Sequence, residues 1–294
     1  MKMLEINGLR KDFKGTKALK NVTFDLNAGE VLGYIGPNGS GKSTTIRVLL
    51  GILKKTDGDV RIFGMDPWKD AIAIHKKVAY VPGDVNLWPN LTGGEIIDLF
   101  MKLQGTGQKA HRDELIKRFD LDPKKKARSY SKGNRQKVAL IAALASDADL
   151  YIFDEPTSGL DPLMESIFQE EVRKLKNKGK AILLSSHILS EVEKLCDRVA
   201  IIKSGEIIET GTLEELRHLT RYVYTIEARE EPTSLKELAG IHDLEIKGKK
   251  ATFQVDSDHV ETVLKEMMKH HVVKLESIPP TLEELFMRHY EKER

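Results

Sequence analysis

The hydrophobic positions of this chain change period several times, and each change marks an element. Gly29–Gly36 is a short apolar run ending in glycines, the pattern of a buried strand, and Ile46, Leu49, Leu50 and Leu53 then recur at helical spacing through Lys42–Leu53. Asp57-Gly58 and Phe63-Gly64 bracket an expected strand at Asp59–Phe63, so an antiparallel portion is expected early in the chain. From Pro82 to Ser146 the pattern is helical: Thr92 and Glu95 form a capping box ahead of Ile96–Leu103, a second helix is expected near His111–Phe119, and Ser131 opens a third through Ala145. Leu150–Phe153 and Ala181–Ser185 are buried strands flanking a helix at Pro162–Lys176, whose expected apolar face is Leu163, Ile167, Phe168, Val172 and Leu175. Strands at Val199–Lys203 and Glu206–Thr210 and a capped helix from Thr212 close this portion. Alternation of apolar strands with amphipathic helices predicts an α/β fold with a mainly parallel sheet.

After Leu219 the grammar differs. Tyr222–Arg229 alternates like a half-buried strand, Thr233–Ala239 is a short helix, and Asp243–Ile246 and Ala251–Val255 form a hairpin about Gly248-Lys249. Asp258–His271 is an amphipathic helix and Val272–Glu276 a final strand, giving the βαββαβ order of a small α+β ferredoxin-like domain. A terminal helix is expected from Thr281, boxed by Glu284. The expected domains are 1–218, with a helical subdomain at about 84–147, and a C-terminal accessory domain at 219–294.

Composition narrows the function classes. The 294 residues suit about two domains. Lys and Arg number 47 against 45 Asp and Glu, so no global basic field points to nucleic acid. Residues 221–294 carry 12 basic and 15 acidic side chains, which excludes a nucleic-acid platform there as well. Cys196 is the only cysteine, so neither an intramolecular disulfide nor a cysteine zinc site is expected, in keeping with a reducing cytoplasm. The longest apolar stretch, Val138–Ala145, is far short of the ~20 residues of a membrane helix, and Met1–Gly15 lacks a signal-peptide core. A soluble intracellular protein is expected.

The sharpest chemical signal is Gly36-Pro37-Asn38-Gly39-Ser40-Gly41-Lys42-Ser43, which matches G-x-x-x-x-G-K-[ST] between an expected strand and an expected helix. Glycines let backbone wrap a phosphate chain, while exposed N–H groups and the helix N-terminus supply positive potential. Lys42 can then reach the β- and γ-phosphates of a bound nucleotide, Ser43 can hold Mg²⁺, and Thr44 can add a hydroxyl contact. Further along, an apolar strand ends in two acids: Asp154 at its tip suits a Mg²⁺ ligand, and Glu155 suits the group that orients an attacking water. Ser131 at a helix start, with the N–H groups around Gly133, suits a grip on a γ-phosphate.

With these residues the chain resembles the ATP-binding subunits of ABC transporters over about residues 1–218. Ser131-Lys132-Gly133-Asn134, followed by Arg135-Gln136, stands where that family has its signature. Ser158-Gly159-Leu160-Asp161 stands at its D-loop, and His187 in Ser185-Ser186-His187 at its switch histidine. The resemblance implies a P-loop ATPase domain with an antiparallel β subdomain and a helical subdomain. It implies a head-to-tail dimer, of like or unlike ATPase chains, in which Ser131, Lys132, Gly133, Asn134 and Asp161 serve the partner's nucleotide. It also implies that Phe13 stacks on adenine and that His187 contacts the γ-phosphate. The implied activity is Mg²⁺-dependent ATP hydrolysis powering transport, in the direction of export, through a separate integral membrane permease at the cytoplasmic face of the cell membrane. The chain departs from the family at Gly83-Asp84, where a Gln is usual, and at Lys132, where a Gly is usual; both departures resemble bacterial exporter ATPases, as does the tail Pro279–Phe286. Two rival readings are a soluble ABC ATPase acting on ribosomes or nucleic acid, and a non-catalytic ATP-driven dimerisation switch.

Overall fold

The computed structural model describes residues 1–105, 109–218 and 221–278. The expected helix from Thr281 and the tail motif Pro279–Phe286 lie outside them. The chain divides into two compact units, Met1–Thr210 and Gly211–Arg294.

The first unit opens with a hairpin of β1 (Lys2–Phe13) and β2 (Thr16–Asn27), followed by β3 (Val31–Ile35), α1 (Lys42–Leu49), β4 (Asp57–Ile62), α2 (Ala71–His75) and β5 (Val78–Val81). Three helices come next, α3 (Gly93–Gln104), α4 (Lys109–Arg118) and α5 (Lys132–Leu144). Then β6 (Leu150–Asp154), α6 (Pro162–Asn177), β7 (Ala181–Ser186), α7 (Leu189–Leu195), β8 (Arg198–Lys203) and β9 (Glu206–Thr212) alternate. The nine strands form one sheet in the order β4-β1-β2-β9-β8-β3-β7-β6-β5. Its β8-β3-β7-β6-β5 portion is parallel, with Ile35 paired to both Ser186 and Ile201, while β4-β1-β2 is antiparallel. The expected α/β architecture with its antiparallel portion is therefore present.

Burial explains the parallel part. Every residue of β3, β6 and β7 is buried, as strands covered on both faces must be, and such strands read as continuous apolar runs. The long hairpin escaped sequence reading because β1 carries a bulge: Ile6 faces Phe24 but Leu9 faces Val22, and Gly8 takes φ 60° between them. The extra residue breaks the period-two signal that Leu4 and Ile6 begin. The helical segment is held by capping and by ion pairs. Thr92 and Glu95 complete the capping box at α3, with Thr92 N donating to Glu95 at 2.7 Å and Glu95 N to Thr92 Oγ1 at 3.2 Å. Arg118 of α4 pairs with Glu170 and with the buried Glu171 of α6, so the helical segment is tied to the sheet-covering helix by charge. On α6 the expected face holds at Phe168, Val172 and Leu175, but in the first turn Leu163 is exposed and Met164 buried, where Asp161 caps the helix by accepting from Met164 N at 3.0 Å.

The second unit contains α8 (Leu213–His218), β10 (Tyr222–Ala228), β11 (Ile241–Lys247), β12 (Lys250–Val255), α9 (Val260–Lys269) and β13 (Val272–Ile278). Its four strands form an antiparallel sheet ordered β11-β12-β10-β13, which is the ferredoxin-like arrangement. Ile226, Phe253, Leu235, Val263 and Met267 form its core. The expected helix at Thr233–Ala239 is a short 3₁₀ turn, Thr233–Glu237.

Candidate functional site: a phosphate loop beside a paired carboxylate

The loop between β3 and α1 shows why its glycines are there. A Cβ on Gly36 would sit 2.3 Å from the Ile202 carbonyl oxygen and 2.6 Å from Ser40 Oγ, so only glycine lets the loop leave β3 this close to β8. Gly41 caps α1 at φ 116°, turning the first helical N–H groups toward the loop's concavity. Pro37, Asn38, Gly39, Gly41, Lys42, Ser43 and Thr44 line a cavity of about 750 Å³, together with Asp154, Glu155 and His187. Gly36 and Ser40 are buried and do not line it.

Lys42 is 7% exposed, and burial lowers the pKa of its ammonium while Glu155 and Asp154 pull it back up. Its Nζ donates to the carbonyl oxygens of Gly36 at 2.5 Å and Pro37 at 3.3 Å and lies 4.0 Å from Glu155 Oε1. Ser43 Oγ donates to Asp154 Oδ2 at 3.3 Å. Burial raises the Asp154 carboxyl above the ordinary carboxylate range. A hydroxyl and a carboxylate meeting at the cavity wall are hard oxygen donors of the kind Mg²⁺ takes, with phosphates and waters completing its shell. Among the described residues no three His, Cys, Asp or Glu side chains group to hold a metal by themselves. The donor set fits Mg²⁺.

Glu155 follows β6 with φ 49°, a left-handed conformation uncommon for a residue with a Cβ, and its N–H donates to Ser185 O at 2.8 Å. Its carboxylate Oε2 lies 2.5 Å from His187 Nδ1 and accepts from His187 N at 3.4 Å. Two adjacent loops, after β6 and after β7, thus bring an acid and an imidazole together at the cavity.

Other expected residues lie elsewhere. Phe13 ends β1, is 44% exposed, and carries Lys11 Nζ over its ring at 4.9 Å; its cross-strand neighbour Thr16 lines the cavity and Phe13 does not. Ser131, Lys132, Gly133 and Asn134 lie at the start of α5, where Ser131 Oγ accepts from Asn134 N at 3.3 Å. None of these four, nor Asp161, lines the cavity. Gly83 and Asp84 do line it, and a Cβ on Gly83 would meet Asp154 O at 3.3 Å. Lys17, Lys20, Arg47, Tyr80 and Ser204 line it as well and were not expected. Burial pushes the Tyr80 phenol up to about 12. Only the packing of distant strands gathers these residues, although the basic spacing of Lys17 and Lys20 ahead of the phosphate loop was a usable signal.

A loop of glycines and lysine at a helix N-terminus, facing a strand-end Asp-Glu pair on a parallel sheet, defines a P-loop ATPase. Residues 19–158 match the ABC transporter family, and residues 211–290 match the C-terminal domain described as ATP-binding protein DrrA1-3-like. The chain is 38% identical over 209 residues to the ABC transporter ATP-binding protein NatA of Bacillus subtilis (strain 168), covering 69% of this chain and 85% of that protein. It is 30% identical to the linearmycin resistance ATP-binding protein LnrL of the same organism, covering 97% of each chain. A solved dimeric ATP-binding cassette in a post-hydrolysis state, bound to ADP and Pi, superposes with a TM-score of 0.65 at 26% identity over 72% of this chain and 99% of its own. The chain belongs to the ATP-binding proteins of ABC transporters and is an ATPase.

Proposed function

We propose that this chain hydrolyses MgATP at the interface of a head-to-tail dimer and so powers export through a separate integral membrane permease at the cytoplasmic face of the membrane. The observation that carries the reading is the placement of Glu155, whose carboxylate is in reach of both His187 and Lys42 at the wall of the phosphate-loop cavity. Lys42 holds the β- and γ-phosphates, exchanging its carbonyl partners for phosphate oxygens. Glu155 orients a water in line with the γ-phosphate and accepts its proton as ADP departs, while His187 fixes that carboxylate and contacts the γ-phosphate. Ser43 and Asp154 would hold Mg²⁺, which neutralises charge on the phosphates. Phe13, beside the cavity residue Thr16, stacks on adenine.

The dimer reading is supported by a separation within the chain. Ser131, Gly133 and Asn134, with α5's first N–H groups, form a second phosphate-binding surface off the cavity wall, so a second chain is needed to bring the two together. The permease reading is supported by an apolar groove of about 530 Å³ lined by Ile52, Ile72, Val85, Leu87, Phe100 and Leu103, with the half-exposed Trp88 tilted on Phe100 at 6.0 Å. No helix among the described residues is long and apolar enough to cross a membrane. The linearmycin resistance name of LnrL supports export.

The test is Glu155→Gln. Expected are a loss of steady-state ATP hydrolysis of about a hundredfold or more and a stable ATP-bound dimer. Hydrolysis unchanged by Glu155→Gln would sink the catalytic reading and leave the dimerisation switch. Recovery with ribosomes, and never with an integral membrane protein, would sink the transport reading.

A further inference from the structure

At the start of α5 the chain makes three contacts with the loop that follows Glu155. Lys132 Nζ donates to Ser158 Oγ at 2.9 Å, and Gln136 Nε2 donates to Pro156 O at 2.9 Å. Between them Gly133 lies against Gly159: a Cβ on Gly133 would stand 2.5 Å from Gly159 O, and one on Gly159 would stand 3.6 Å from Lys132 Cδ. The loop 156–159 is thus held against the helix N-terminus by a buried amide, a backbone contact that only glycine permits, and an ammonium. Ser158 also lines the chain's own phosphate-loop cavity, three residues beyond Glu155.

We propose that Lys132 is a positioning residue: by clipping Ser158 of its own chain, it couples the placement of Ser131 to the placement of Glu155. This rests on the reading above, in which Ser131 serves the partner's nucleotide and Glu155 the chain's own. Under that reading one chain contributes to two composite sites, and the Lys132–Ser158 clip spans the short distance between its two contributions. A phosphate that draws Ser131 and the start of α5 toward the partner pulls on Ser158 through the ammonium. Because Gly159 and Pro156 are held by the same helix, the loop moves as a unit and carries the Glu155 backbone with it. A glycine at position 132, the usual family residue, has no side chain to do this. The Lys132 ammonium is engaged within its own chain, which separates this role from the direct contact with the partner's phosphate expected from sequence.

The experiment is a double-mutant cycle on the full chain with Lys132→Met, Ser158→Ala and the pair, plus Lys132→Gly and Lys132→Arg, read by ATP hydrolysis across ATP concentration. Each of Lys132→Met, Lys132→Gly and Ser158→Ala is expected to lower kcat about threefold to tenfold, the scale of one solvent-exposed hydrogen bond. KM should move less than twofold, and the Hill coefficient should fall toward one. The double variant should be no worse than either single, and Lys132→Arg should recover most of the loss. Two outcomes overturn the proposal: additive effects in the double variant, or a raised KM in Lys132→Met that Ser158→Ala does not reproduce. Either would assign the ammonium to the partner's phosphate. Failure of the underlying reading has a separate mark, the absence of any turnover by the unsubstituted chain. The same cycle is then read by ATP-driven dimerisation, where non-additivity supports the clip and additivity rejects it.

Discussion

Gly36 shows how closely a single position can be determined. Its missing Cβ is the space occupied by the Ile202 carbonyl oxygen, and backbone cannot yield as a flexible side chain can. Gly36→Ala should therefore cost about 1–3 kcal/mol of stability and abolish the rise in melting temperature that MgATP confers on the unsubstituted protein. A thermal melt with and without MgATP reads both. Much of the site was legible at this scale because the phosphate loop is contiguous, so its chemistry and its spacing are one signal. Asp154 and Glu155 were legible as acids at the end of an apolar strand. Arg47, Tyr80 and Ser204 were not, since each reaches the cavity from a different element and carries no local pattern of its own.

Elements were legible where local chemistry and burial agree. The α3 capping box is written in Thr92 and Glu95 and is complete in the structure. Thr92→Ala should lower stability by about 1 kcal/mol, seen as a shifted urea midpoint with an unchanged slope. A changed slope would mean that the helix end does more than cap. The strands β3, β6 and β7 announce themselves as apolar runs because both faces are covered. The hairpin of β1 and β2 does not, because the bulge at Gly8 moves the inward set by one residue partway along. The α6 face was legible at Phe168, Val172 and Leu175 and missed only in the first turn, where Met164 and not Leu163 is buried.

For the molecule as a whole, the alternation of strand and helix yields the class of fold, and the βαββαβ order yields the second unit's sheet. Strand order in the nine-stranded sheet is not local information: β3 sits between β7 and β8, which follow it by about 150 residues, and only their shared burial places them there. The near balance of acidic and basic residues likewise conceals a cavity edged by Lys17, Lys20, Lys42 and Arg47. The left-handed backbone of Glu155, which no periodicity announces, has a consequence for how this protein tolerates heat. A residue with a Cβ held there costs about 1 kcal/mol, and asparagine adopts that conformation more readily than glutamate. Asparagine would also remove a negative charge beside the buried Asp154. Glu155→Asn should therefore melt about 2 °C higher while hydrolysing no ATP, whereas an unchanged or lower melting temperature would show that the His187 and Lys42 contacts outweigh the strain. Selection for endurance alone would then drive this position away from glutamate, so a working enzyme retains the acid by accepting a lower ceiling of temperature.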